Sequence, residues 1–98
     1  MTPKGYWIVH VTVTDAARYP EYVAADGPVI AHHGGRFLVR VGRYEAPEGS
    51  ARERHVVIEF PSYAAALACY RSEAYQAALR LRQAYAQSEI VIVEGFGT

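Results

Sequence analysis

The side chain in this 98-residue sequence best suited to proton transfer is that of His10, which lies within a run of apolar and β-branched residues. An imidazole is the side chain that most readily gains and loses a proton near neutral pH. We predict that His10 is a catalytic base, that Glu59 orients it, and that Arg40 holds an anionic or enolate oxygen of a substrate. This set suits proton abstraction or isomerisation rather than hydrolysis, since no serine or cysteine triad is visible in the sequence.

The same residues also have structural interpretations that the sequence leaves open. His10 can be a half-buried histidine at an interface, paired with a carboxylate or a backbone group. Arg36 opposite Glu59 would form a cross-strand ion pair, which contributes roughly 0.2–1 kcal/mol to a sheet. Arg40 keeps the stronger functional interpretation, because a guanidinium can bind a carboxylate through two parallel hydrogen bonds.

Tyrosines on the predicted helices form a second group that could line a binding pocket. The chain contains eight tyrosines, and phenols suit a pocket that is mostly apolar with a few hydrogen bonds. Tyr19 and Tyr22 are one helical turn apart, so they can face the same way. Tyr75 and Arg82 are two turns apart and can do the same. A stripe of tyrosines can equally belong to a core or an interface, so both interpretations stay open.

The other reactive residue types form no recognisable metal or cofactor motif. His32 and His33 are adjacent, so on a helix they point about 100° apart and cannot chelate one metal together. Cys69 lies among alanines without a basic neighbour, which is typical of an inert buried thiol. We therefore expect no bound metal and no cofactor.

Composition narrows the classes of function. Ten basic residues balance ten acidic ones, and this zero net charge argues against nucleic acid as a partner. A hydrophobic share of 51% with 20% charged residues is typical of a globular chain rather than a disordered one. No apolar run approaches the roughly 18 residues that span a bilayer. We expect one cytoplasmic domain over residues 1–98 that has no contact with membranes.

The pattern of apolar residues predicts the element order β-α-β-β-α-β. The predicted strands are residues 6–13, 36–41, 54–60 and 88–94, and the predicted helical regions are 16–33 and 63–86. Asp15 is the predicted N-cap of the first helix, and Gly27-Pro28 should kink or split it. Gly34-Gly35 should end that helix, and Ser72 should interrupt the second helical region. Residues 42–53 are predicted to form a long, mobile loop.

This order is typical of an α+β fold, the ferredoxin-like sandwich, in which a four-stranded antiparallel sheet carries its helices on one face. The first and third strands then lie in the centre. If Arg36 pairs with Glu59, Arg40 opposes His55 on the face away from the helices. Because Ile8 and its neighbours make that face too apolar to remain in water, we predict a homodimer formed through it. The alternative is a monomer in which one face of the sheet is exposed to water.

Several motifs resemble the domain-of-unknown-function family numbered 1330. They are Glu-Phe-Pro-Ser at residues 59–62, Tyr-x-Ser-x-x-Tyr at 70–75, Gly-Gly-Arg-Phe-Leu-Val-Arg at 34–40 and Val-Ile-Val-Glu-Gly at 91–95. The resemblance implies the dimeric α/β-barrel superfamily, which also holds metal- and flavin-free monooxygenases, muconolactone isomerases and chlorite-dismutase relatives. By the same resemblance, family positions correspond to Tyr22, Tyr70, Tyr75 and Arg82. We predict that these residues bind the substrate.

Two functions follow as expectations. The first is a cofactor-independent enzyme or binder of a small, partly apolar metabolite, working by proton transfer, isomerisation or a monooxygenase-like reaction. The second is a non-catalytic homodimeric module that senses a ligand or docks a partner. A cavity of roughly 300–1,000 Å³ with converging polar groups would favour the first.

Overall fold

A computed structural model describes residues 2–97 as a four-stranded antiparallel sheet with three helices packed on one face. The elements are β1 (Gly5–Val13), α1 (Tyr19–His32), β2 (Arg36–Arg40), β3 (Arg54–Phe60), α2 (Tyr63–Arg71), α3 (Glu73–Tyr85) and β4 (Ala86–Glu94). The strand order β2-β3-β1-β4 places β1 and β3 in the centre, as predicted. Residues 1 and 98, which the single-domain prediction includes, lie outside the described residues. Within residues 2–97, no helix is both long and apolar enough to cross a membrane.

The core lies between the helices and the sheet face that carries Trp7, here called the helix face. Alternate residues of β1 are buried, and Trp7 is among the largest fully buried side chains. Its Nε1 donates a hydrogen bond to the Ala66 carbonyl oxygen at 2.9 Å. Its ring packs against Phe60 and Tyr75, with centroids 5.1 and 4.8 Å away. Trp7 therefore ties α2 and α3 to the two central strands.

The first helix begins later than predicted and is not split by its proline. Asp15 caps a preceding turn instead, because its Oδ1 accepts a hydrogen bond from the Arg18 amide at 3.2 Å. The helix continues through Pro28 to His32. The carbonyl that Pro28 leaves without a partner belongs to Ala24, which lies on the exposed side of the helix. Gly34, with φ +79°, ends the helix as predicted.

Serine side chains begin both helices of the second region. Ser62 Oγ accepts a hydrogen bond from the Ala65 amide at 3.0 Å and starts α2. Ser72 Oγ accepts one from the Tyr75 amide at 3.1 Å and donates one to the Cys69 carbonyl at 2.7 Å. The predicted interruption at Ser72 is confirmed, and it sets the direction of α3.

A β-bulge at Leu38 changes which face Arg40 occupies. Arg40 pairs with Val56 rather than with His55. Because one extra residue reverses the alternation of side chains, Arg40 lies on the helix face and Val39 on the opposite, open face. The prediction that Arg40 shares the open face was therefore wrong.

Gly5→Ala is expected to lower the free energy of unfolding by roughly 1–3 kcal/mol, because overpacking of a tight contact costs about that much. A Cβ at Gly5 would lie 2.4 Å from the Ser62 carbonyl oxygen. Gly42→Ala is the matched control, since a Cβ there meets no atom within 4 Å beyond its chain neighbours and an exposed substitution of this kind changes stability by about 0.5 kcal/mol at most. Urea unfolding of both variants measures the effect, and equal changes would contradict it.

Candidate functional site

A cavity of about 40 Å³ lies between the helix face of the sheet and the buried side of α1. Its polar lining residues are Tyr19, Tyr22, Asp26, Arg40, Arg54 and Arg82. The other lining residues, including Trp7 and Ile58, are apolar. This volume holds a few water molecules at most, which is less than the sequence-based expectation for a complete ligand pocket. The cavity therefore has room for a polar head group rather than for a whole metabolite.

The inward side of α1 supplies three of these polar groups. Tyr19, Tyr22, Asp26 and Ile30 are its buried residues, and their spacing places them on one face of the helix. Sequence reasoning missed Asp26, although this spacing was the signal that could have found it. A carboxyl group at a core position of a helix needs a reason, because burying a charge without a partner costs free energy.

The guanidinium of Arg82 is buried in the cavity wall without full hydrogen bonding. Arg82 is only 4% exposed on α3. Its Nε and Nη1 have no hydrogen-bond partner among the described residues. The guanidinium carbon lies 5.8 Å from the centre of the Tyr22 ring, which satisfies none of these donors. Because an unpaired buried charge costs several kcal/mol, Arg82 is prepared for an anionic partner.

Burial raises the pKa of the Asp26 carboxyl to about 6. The Tyr22 hydroxyl and the charges of Arg40 and Arg82 favour the ionised form but do not offset the loss of hydration. Among the described residues, no arginine lies within 4 Å of this carboxylate. Asp26 can therefore exchange a proton near neutral pH inside a cavity that also contains positive charge.

Two neutral phenols join the helices beside these charges. The Tyr22 and Tyr75 hydroxyls lie 2.8 Å apart and share a hydrogen bond. Burial raises the pKa of Tyr75 to about 12 and moves the pKa of Tyr22 upward as well, so both remain protonated. The Tyr70 ring packs 5.5 Å from Tyr75 and 6.0 Å from Trp7 and does not line the cavity. Of the residues predicted to bind substrate, Tyr22, Arg40 and Arg82 line the cavity, and Tyr75 contacts it only through Tyr22.

His10 lies on the open face, and the predicted catalytic set is not assembled around it. Its Nδ1 is 2.8 Å from the Nδ1 of His55, which lies directly opposite on β3. Glu59 is four residues further along β3, roughly 13 Å away. It instead accepts hydrogen bonds from the Tyr6 hydroxyl at 3.1 Å and from Arg36 at 3.0 Å. The alternative cross-strand pair of Arg36 and Glu59 is therefore present, and Glu59 does not orient His10.

The open face around His10 forms a broad depression of about 510 Å³. Arg52 donates two hydrogen bonds to the Glu89 carboxylate, at 2.6 and 2.8 Å, and a third to Thr12 at 3.0 Å. The bond from Arg52 lowers the pKa of Glu89. Among residues 2–97, no group of three or more His, Cys, Asp or Glu side chains is placed to hold a metal. Arg52 and Glu89 therefore satisfy one another, whereas the Nε2 of His55 is buried without a hydrogen-bond partner among the described residues.

Comparison with known proteins supports the fold of the whole chain. The sequence model of a family described as a domain of unknown function, DUF1330, matches residues 4–96. No curated protein matches the sequence significantly. A protein of unknown function from Rhodopseudomonas palustris is 21% identical, with a TM-score of 0.78 over 100% of this chain and 86% of that protein.

Two other solved structures share the fold. SnoaB, a cofactor-independent oxygenase from Streptomyces nogalater, is 16% identical, with a TM-score of 0.68 over 99% of this chain and 97% of SnoaB. A dimeric ferredoxin-like protein of unknown function from Thermobifida fusca is 13% identical, with a TM-score of 0.56 over 96% of this chain and 92% of that protein. These likenesses confirm the predicted ferredoxin-like α+β fold.

Replacing Asp26 with asparagine should change how stability depends on pH. The raised pKa means that the folded chain keeps this proton to a higher pH than the unfolded chain does. The stabilisation is therefore complete below about pH 4 and lost as the pH rises through about 6. Asparagine does not ionise, so Asp26→Asn should not lose stability in this way. Relative to wild type, the variant should gain about 3 kcal/mol as the pH rises from below 4 to 7.

Urea unfolding across this pH range, with the exposed Glu45→Gln as control, measures the difference for Asp26→Asn. If the free energies of unfolding of wild type and Asp26→Asn changed with pH in parallel, the raised pKa of Asp26 would be contradicted.

Proposed function

This chain belongs to the DUF1330 family, and from that premise we propose that it is a cofactor-independent enzyme that transfers a proton on a small, partly apolar metabolite. The metabolite carries an enol, phenol or carboxyl group and binds as its oxyanion in the cavity between sheet and helices. The observation that carries the proposal is the buried Arg82, two of whose guanidinium nitrogens have no partner among the described residues.

The charges around the cavity favour an anionic ligand. Arg40, Arg54 and Arg82 line it together with one carboxyl group, that of Asp26. The lining therefore has a net charge of about +2 when Asp26 is ionised and more when it is protonated. Donors held in a site that excludes water stabilise a developing oxyanion far better than the same donors in water. An oxyanion would satisfy the free donors of Arg82.

Asp26 supplies the proton acceptor that this chemistry needs. With a pKa of about 6, it is mostly ionised at neutral pH but remains close to the range in which a base is most effective. A carboxylate there takes a proton from a carbon beside a carbonyl, or from a phenol, while Arg82 holds the oxygen that becomes negative. Return of the proton to another carbon gives an isomer. SnoaB, which shares the fold, is described as a cofactor-independent oxygenase, so this fold also occurs in an enzyme that needs no cofactor.

The residues predicted from sequence enter this proposal unequally. Tyr22 would donate a hydrogen bond to the oxyanion while it accepts one from Tyr75, and Arg40 would add positive charge. Tyr70 packs against Tyr75. The catalytic role predicted for His10 remains a prediction for the open face, because the sheet separates that face from the cavity, and His10 would act there without Glu59. A non-catalytic module that senses an anionic ligand would also use the guanidinium of Arg82, but it would not need Asp26 as a base.

We also propose that two copies pair through the open face. Its bulge and edge strands expose Leu38, Val39, Val91 and Val93, with Val91 at 57% exposure. Val57 and Ile8 lie between Val39 and Val91 across the sheet, so the apolar surface is continuous, and such a surface marks an association site. The ferredoxin-like protein from Thermobifida fusca is described as dimeric. The helix face and its cavity would remain accessible in such a dimer.

Arg82→Met should weaken oxyanion binding while the fold is kept. The probe is 4-nitrophenol, whose phenolate absorbs visible light, and wild type should bind the phenolate and raise its fraction at fixed pH. The variant should bind at least about tenfold more weakly, since a charge-assisted hydrogen bond contributes roughly 1.5–3 kcal/mol. Arg80→Met, on the exposed side of the same helix, should bind as wild type does.

Thermal unfolding tests whether the Arg82→Met chain keeps its fold. The Arg82→Met chain should be at least as stable as wild type, because the substitution removes an unpaired buried charge. Phenolate binding that is absent from wild type, or unchanged in Arg82→Met, would contradict the oxyanion site.

Val91→Glu should convert the dimer into a monomer, because it places a charge within an apolar interface. Light scattering after size exclusion should give wild type about twice the chain mass of 10.9 kDa and the variant a single chain mass. Ala77→Glu, on the exposed side of α3, should leave the mass unchanged. A wild-type protein of single-chain mass would overturn the proposed dimer.

A further inference from the structure

We propose that the ligand of this site is a hydrophobic acid or phenol whose apolar body occupies a groove next to the cavity. The proposal rests on the proposed function, which places the oxyanion head at Arg82, and it adds the chemical class of the rest of the molecule. The groove has a volume of about 480 Å³ and lies between the end of β1 and the first turns of α1.

The cavity alone is too small to hold a whole ligand. The cavity of about 40 Å³ is far below the roughly 300–1,000 Å³ typical of ligand sites. The groove lies within that range and opens to solvent. Tyr19, Val23 and Arg54 line both spaces. These three side chains therefore lie between the two spaces, and their movement would let the head and body of one molecule occupy cavity and groove together.

The chemistry of the groove selects an apolar body. Its remaining lining residues are Val13, Ala16, Pro20 and Ala24, and none of them carries a polar side chain. The alanines leave room that larger side chains would fill. Burial of a methylene group in such a place contributes about 0.8 kcal/mol. A ligand without an apolar body would leave the groove unused.

The neck between groove and cavity is formed by Arg54 and Tyr19. The guanidinium carbon of Arg54 lies 5.0 Å from the centre of the Tyr19 ring. Its Nε is buried without a hydrogen-bond partner, and no carboxylate of the described chain lies within 4 Å. This stacking contact is weak, so ligand binding can break it. Arg54 can therefore turn toward the oxyanion while the flat face of Tyr19 contacts the body.

A series of linear carboxylates tests the inference on the full chain. Acetate, butanoate, hexanoate and octanoate are titrated into wild type and variants, and affinity is followed by NMR chemical shifts. Wild-type affinity should rise roughly threefold to fourfold for each added methylene group that enters the groove, as expected from burial. Ala24→Phe, which fills the groove from an exposed position of α1, should leave butanoate binding unchanged and weaken octanoate binding at least about tenfold.

Ala31→Phe is the matched control, because Ala31 is exposed two helical turns further along the same side of α1 and does not line the groove. It should bind the whole series as wild type does. Short carboxylates that bind through Arg82 with no gain from chain length, or octanoate binding unaffected by Ala24→Phe, would overturn the groove while the oxyanion site stands. Carboxylate binding that is absent, or the same in Arg82→Met, would overturn the oxyanion site and the groove together.

Discussion

An unpaired positive charge inside the protein is the constraint on which the arrangement of the helix face depends. Arg82 reaches the cavity because Ser72 starts α3 in a new direction, and Trp7 ties that helix to the central strands. Desolvation of the guanidinium costs several kcal/mol, which the aromatic core around Trp7, Phe60 and Tyr75 must offset. Proteins keep such local conflicts mainly at functional sites. The cavity, the buried carboxyl and the phenol pair are all organised around this charge.

Asp26 shows how incomplete neutralisation keeps the site reactive. A direct ion pair with Arg82 would hold the carboxyl ionised and fill the donors of the guanidinium. The described structure has no such pair within 4 Å, and burial outweighs the surrounding positive charge in setting the pKa of Asp26. Asp26 can therefore still exchange a proton while Arg82 can still bind an anion. A ligand oxygen, rather than a protein carboxylate, can complete the charge balance.

The two faces of the sheet differ in whether their arginines are already paired with carboxylates. On the open face, Arg52 holds Glu89 and Arg36 holds Glu59, and both arginines contact carboxylates directly. On the helix face, Arg82 has no such partner. Paired groups contribute to register and solubility, whereas unpaired buried donors call for a ligand. This difference moves the candidate chemistry from the open face, where the histidines lie, to the helix face.

The order of the elements, the ends of helices at Gly34 and Ser72, and the common face of Tyr75 and Arg82 could be predicted from the sequence, because near neighbours along the chain decide them. The bulge at Leu38 and the burial of Asp26 could not. A one-residue shift in pairing depends on how two strands and a helix layer fit together, and it carried Arg40 to the other face. Spacing along α1 can mark an inward position, but only the packed sheet determines which charges face Asp26 and which donors remain free.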